Sequence, residues 1–74
     1  MKVFKKLNHD SVWLKVVDGK QYAKLSITRS ATRVRYTIGF KEVADKLFRL
    51  YRVAQNDNLT FGQTLDFVEA AFTA

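Results

Sequence analysis

Two runs of alternating side chains meet at Asp18-Gly19, and that junction constrains the fold more than any other feature of the chain. Ahead of it Val12, Leu14 and Val16 alternate with Trp13, Lys15 and Val17; behind it Ala23, Leu25 and Ile27 alternate with Tyr22, Lys24 and Ser26. Asp-Gly between two period-2 runs is the strongest short-range hairpin signal, read here as a type I′ turn centred on Asp18 and Gly19. A two-residue loop there sets Val17 opposite Lys20, Leu14 opposite Ala23 and Val12 opposite Leu25. Opposed residues share a face, so the apolar residues of both runs gather on one side. The other side gathers Trp13 with Lys24, and Lys15 with Tyr22.

A third strand is expected over Thr32 to Phe40, where Val34, Tyr36, Ile38 and Phe40 alternate with Arg33, Arg35 and Thr37. Closing it through Arg29-Ser30-Ala31-Thr32, with Thr28 opposite Arg33, pairs Leu25 with Tyr36 and Ala23 with Ile38. Both hairpins then give the same inside and outside, and a one-residue slip in either destroys that agreement. Lys2 to Leu7 reads either as a fourth strand, hairpinned through Asn8-His9-Asp10, or as a basic arm. His9 belongs to that turn, since no motif places a Ser or Cys nucleophile beside it.

After the strands the period changes. Phe40, Val43, Ala44, Leu47, Phe48, Tyr51 and Ala54 recur at helical spacing, predicting a helix over about 41–55 that covers the apolar face of the sheet. Glu42–Lys46 and Asp45–Arg49 are favourably ordered i,i+4 pairs on its outside. Thr60-Phe61-Gly62-Gln63 reads as a capping box opening a second helix over 60–73, with Phe61, Leu65, Val68 and Phe72 buried and Asp66 and Glu69 facing out. Phe67 lies off that stripe and is either packed by a neighbour, the favoured expectation, or part of a second contact surface, self-association included. The whole is one small α+β domain of 74 residues. It has a three- or four-stranded antiparallel meander over 1–40, one face covered by a helix, and a second C-terminal helix.

Charge is divided unevenly. Residues 1–40 hold nine basic side chains against Asp10 and Asp18, whereas 41–74 hold four against five acidic ones. The expected outer face of the sheet carries Trp13, Lys15, Tyr22, Lys24, Ser26, Thr28, Arg33, Arg35 and Thr37, without a carboxylate. Cations and hydroxyls suit phosphates, arginine suits guanine edges, and the aromatic rings suit bases. A merely solvated face usually mixes in Asp or Glu. There is no cysteine and one histidine, so neither a thiolate zinc site nor a disulfide framework is available. Gly-rich phosphate loops and paired-carboxylate sites are absent too, so neither enzyme nor cofactor is expected. No run is long enough to span a membrane.

The order of three strands then helix resembles the apetala/ethylene-response-type DNA-binding domain and the similar arm-binding domain at the N-terminus of some phage-type integrases. Tyr22-Ala23-Lys24-Leu25 is similar to the family's aromatic-Ala-Arg-Ile strand, and Ile38-Gly39-Phe40 to its Leu-Gly-x-Phe strand end. The match covers residues 12–54. Gly39 and Phe40 are adjacent here, and Lys41 stands where the family has an acidic residue. The resemblance implies a sheet face laid in the DNA major groove, with contacts from Trp13, Lys24, Arg33 and Arg35. The expected function is a cytoplasmic nucleic-acid-binding module, double-stranded DNA favoured, acting as a monomer or weak homo-oligomer. The same face also suits an acidic protein partner, as in a small inhibitor or host-factor binder of a phage or mobile element.

Overall fold

The computed structural model describes residues 1–73. Strands β1 (Lys2–Leu7), β2 (Ser11–Asp18), β3 (Gln21–Thr28) and β4 (Thr32–Tyr36) are followed by a single 3-10 turn at Ile38–Phe40 and by helices α1 (Lys41–Asn56) and α2 (Phe61–Thr73). The strands form one antiparallel sheet in the order β1-β2-β3-β4. This is the expected α+β meander, and the first ten residues supply its fourth strand, not a free arm.

The inside and outside of the sheet are as expected, but both hairpin registers differ by two residues. In β2–β3, Asp18 pairs with Gln21, Val16 with Ala23 and Leu14 with Leu25. The turn is therefore centred on Gly19-Lys20. Gly19 has φ +60 and Lys20 is not among the positive-φ residues, the sign pattern of a type II′ turn. That turn asks for left-handed backbone at one central residue, which Gly19 supplies; a I′ turn would have forced Asp18 there as well. In β3–β4, Leu25 pairs with Val34 and Ala23 with Tyr36, in place of Tyr36 and Ile38. Thr28 closes this loop early. Its backbone N–H donates to the Ala31 carbonyl at 2.9 Å, and its hydroxyl accepts from the Ala31 N–H at 3.1 Å. A shift of two preserves which face each side chain meets.

The early closure also ends β4 at Tyr36, four residues before the expected Phe40. Ile38 leaves the sheet and is 98% exposed, while Phe40 turns inward at the start of α1. Both helices, and not α1 alone, cover the apolar face: α1 lies against β3 and β4, and α2 against β1 and β2. Between the layers sit Val12, Leu14, Val16, Ala23, Leu25 and Ile27 of the sheet, Ala44, Leu47 and Tyr51 of α1, and Leu65 and Val68 of α2. The buried Tyr51 hydroxyl is satisfied by the Thr32 hydroxyl, which donates to it at 2.8 Å.

The helix junction is set by local chemistry. Asn58 adopts φ +58 after α1, the Leu59 N–H donates to the Ala54 carbonyl at 3.1 Å, and the Asn58 N–H to that of Gln55 at 3.0 Å. These are the two bonds of a Schellman motif, with Asn in the place usually held by Gly. The expected capping box is reciprocal: the Gln63 N–H donates to Thr60 Oγ1 at 3.2 Å, and the Thr60 N–H to Gln63 Oε1 at 3.0 Å. Three aromatic placements differ from expectation. Phe61 is 46% exposed, because the first turn of α2 lines a surface hollow with Tyr51, Leu59 and Thr64 while Thr64 takes the buried position. Phe67 is 39% exposed, and Phe48 stays accessible at the flank of α1, with the Arg52 guanidinium 5.9 Å from its ring centre.

Candidate nucleic-acid interface

The helices occupy one face of the sheet, so the residues of opposite parity line the other. Register arranges them in rows across the strands. Phe4, Lys15, Lys24 and Arg35 form one row; Lys6, Trp13, Ser26 and Arg33 form the next; Lys2, Val17 and Tyr22 a third. Adjacent strands lie about 4.8 Å apart, so the first row sets three cations side by side on β2, β3 and β4. Directly opposed like charges destabilise a sheet slightly, and none of these pairs is needed to hold the strands together.

Among the described residues six cations share this face, Lys2, Lys6, Lys15, Lys24, Arg33 and Arg35, and no carboxylate does. Asp18 has the parity of the helix-covered face and Asp10 lies in the β1–β2 turn, while the remaining acidic residues belong to α1, α2 and the segment between them. The open face is thus strongly positive whereas basic and acidic residues nearly balance on the helix side, and at physiological salt fields of this kind reach about 8 Å from the surface.

The lysines and aromatic rings are paired in a specific way. Lys24 Nζ sits 4.8 Å from the centre of the Trp13 ring, and Lys15 Nζ 4.9 Å from the Tyr22 ring. Sequence pairing expected these same partners directly opposite one another. The observed register puts Trp13 opposite Ser26 and Lys15 opposite Lys24, and the contacts form as diagonals instead. Each lysine leans away from the opposed lysine onto a ring, which relieves the repulsion and attracts the ammonium through the ring's negative face. Trp13, Lys15, Tyr22, Lys24 and Ser26 are half-buried, whereas Arg33 and Arg35 on edge strand β4 are exposed.

Two hydroxyls expected on this face are already engaged. Thr28 is held in the β3–β4 turn, where its hydroxyl also donates to the Ala31 carbonyl at 3.0 Å. Thr37 Oγ1 accepts from the Tyr22 N–H at 3.2 Å, which ties the chain beyond β4 back to β3. Conversely, Lys2, Phe4 and Lys6 are face residues that the sequence reading did not place. The signal was available. The Asn8 N–H donates to the Ser11 carbonyl at 2.9 Å across His9-Asp10, and counting back through that two-residue turn puts the even-numbered residues of β1 outside.

Lys5 has the opposite parity and shows what a lysine on the helix side does. Its ammonium donates to Asp66 Oδ1 at 2.7 Å and to Glu69 Oε1 at 2.9 Å, clasping β1 to α2. The hydrogen bonds to Asp66 and then to Glu69 raise its pKa above the ordinary 10.5. Among the described residues no three His, Cys, Asp or Glu side chains converge as metal ligands, and no helix is long and apolar enough to cross a membrane. The chain matches no family model, curated protein or solved structure.

Proposed function

We propose that this chain is a non-catalytic, double-stranded DNA-binding module that lays the open face of its sheet on the duplex. The observation that carries the reading is the row Lys15–Lys24–Arg35, three adjacent cations on a face with no carboxylate among the described residues. Such a row weakens the sheet a little in isolation, and phosphates neutralise it. Positions that break a local rule without a folding gain are where function is to be sought.

A duplex is favoured over a single strand by the state of the rings. Single-strand binders offer free aromatic faces on which bases stack. Here the Trp13 and Tyr22 rings carry the Lys24 and Lys15 ammoniums, so the face offers charge in place of stacking surface. Arg33 and Arg35, exposed on the edge strand, are the groups suited to guanine edges in a major groove. The resemblance to apetala-type and integrase arm-binding domains supports the same docking, with the sheet face inward. A cytoplasmic setting, as for a protein of a phage or mobile element, accords with this reading and with a chain free of cysteine.

Trp13 reports on the site directly. Its fluorescence, titrated with random duplex DNA, single-stranded DNA and RNA at low and moderate salt, should respond most strongly to the duplex. If all six cations meet phosphates, log K falls against log salt with a slope of about −5. Absence of binding to any of the three at low salt would remove nucleic acid as the partner and leave the acidic protein of the sequence reading. Tighter binding to single strands would reverse the assignment of the rings.

A further inference from the structure

Strand β4 is an unpaired edge of the sheet. The Thr37 N–H donates to the Tyr22 carbonyl and the Thr28 N–H to the Ala31 carbonyl, so the hydrogen-bonded pairs between β3 and β4 are Lys24–Arg35 and Ser26–Arg33. By that alternation the backbone N–H and C=O groups of Thr32, Val34 and Tyr36 point outward, away from the sheet. Such a row is a template for another strand unless something blocks it. Beneath it, on the helix side, runs an open groove of about 460 Å³ lined by Val34, Tyr36, Ala44, Asp45, Phe48 and Arg49. Tyr36 and Phe48 are 44% and 39% exposed there.

We propose that this edge binds an extended peptide segment of another protein, in which apolar and acidic residues alternate, as a fifth, antiparallel strand. The pattern follows from the pleat. Residues opposite Thr32, Val34 and Tyr36 project over the groove and must be apolar; the two between them oppose Arg33 and Arg35 and must be acidic. The recognised unit is thus five residues long: apolar, acidic, apolar, acidic, apolar. Charge rejects a second copy of this chain as the occupant. In an antiparallel pairing of two β4 strands centred on Val34, Arg33 of each copy would oppose Arg35 of the other, and like charges directly opposite are destabilising. The same arginines that block self-pairing attract an acidic strand. The proposal does not depend on nucleic-acid binding, since the backbone edge of β4 and the groove below it lie outside the open face; only Arg33 and Arg35 are shared, so the peptide and a duplex should compete.

The test is a titration of the full chain with a capped synthetic peptide whose core is valine-glutamate-valine-glutamate-valine, followed by NMR. Saturable shifts centred on the amides of Thr32, Val34 and Tyr36, with slowed hydrogen exchange there, are expected. A control peptide with lysine in place of glutamate should bind at least about ten-fold more weakly. Val34→Pro removes an outward N–H without touching the pairing with β3, a substitution that edges tolerate. It should abolish peptide binding while leaving affinity for duplex DNA unchanged. Three results would overturn the proposal: no saturation up to about 1 mM peptide, shifts confined to β2 and β3, or protection of the same amides by concentration alone, which would make the occupant a second copy.

Discussion

The two faces of one sheet obey opposite rules. On the helix side, Val12, Leu14, Val16, Ala23, Leu25 and Ile27 are all at most 1% exposed, and every neighbour is chosen for packing. On the open side the same two central strands present Lys15 and Lys24, in one row with Arg35 of the edge strand β4. Burial of the first set drives folding and fixes which way each strand faces. Nothing in folding calls for the second. The contrast separates residues that hold the domain together from residues that await a partner, and it does so within pairs of sequence neighbours.

Leu25 and Trp13 give the sharpest contrast and the largest expected effects. Leu25 is wholly buried, so Leu25→Ala should cost about 2–5 kcal/mol, comparable to the whole stability of a domain this small. Urea denaturation followed by circular dichroism should show a chain largely unfolded in buffer. Trp13→Ala removes a half-buried ring from the open face and should cost about 1 kcal/mol or less. Affinity for a labelled duplex, measured by fluorescence anisotropy, should nonetheless fall, because Lys24 loses the ring that positions it. If Trp13→Ala unfolds the chain as Leu25→Ala does, the two faces are not the distinct regions described here.

Lys24→Gln tests the charged row itself at smaller amplitude. It removes repulsion toward Lys15 and Arg35 and also the contact with Trp13. These effects oppose each other, each below about 1 kcal/mol, so the urea midpoint should barely move. The slope of log K against log salt for the duplex should become shallower by roughly 0.9, the signature of one lost phosphate contact. An unchanged slope would take Lys24 off the interface, and the row would then be no more than a solvated surface.

What the sequence made legible was parity, and what it concealed was register. Alternation places Leu14 and Leu25 inside whether the β2–β3 turn is centred on Asp18-Gly19 or on Gly19-Lys20, since the two differ by a shift of two residues. The choice between them rests on one backbone angle, which Asp-Gly does not encode by itself. Thr28 is similar. Whether its hydroxyl faces outward or closes a turn onto Ala31 depends on loop geometry, and the difference removes Ile38 from the sheet. Helix caps were readable because Thr60 and Gln63 are local partners; the exposure of Phe61 and Phe67 was not, because it depends on how far the sheet extends over α2. At the candidate site, Phe4 obscures the alternation of β1, so Lys2 and Lys6 were legible only by counting back through the His9-Asp10 turn.

Lys5 and Lys6 extend the comparison to adjacent residues on opposite faces, with the smallest effects. Lys6→Met should reduce the salt slope of duplex binding, whereas Lys5→Met should leave it unchanged, because Lys5 is held on the helix side by Asp66 and Glu69. The Lys5 substitution should appear in pH dependence instead. Its folded pKa is raised above 10.5 by the hydrogen bonds to Asp66 and Glu69, so the folded state holds that proton more tightly than the unfolded chain. The stabilisation it gives is complete below 10.5 and is lost as pH rises through the higher folded value. Because Asp66 is largely in solvent and Lys5 and Glu69 are only partly shielded, screening keeps the effect at neutral pH slight. Stability curves of wild type and Lys5→Met should run a small, constant distance apart from neutral pH upward and converge above pH 10.5. Curves that never converge would mean that the ammonium does not bond the two carboxylates in solution, and that β1 rests on α2 through its apolar contacts alone.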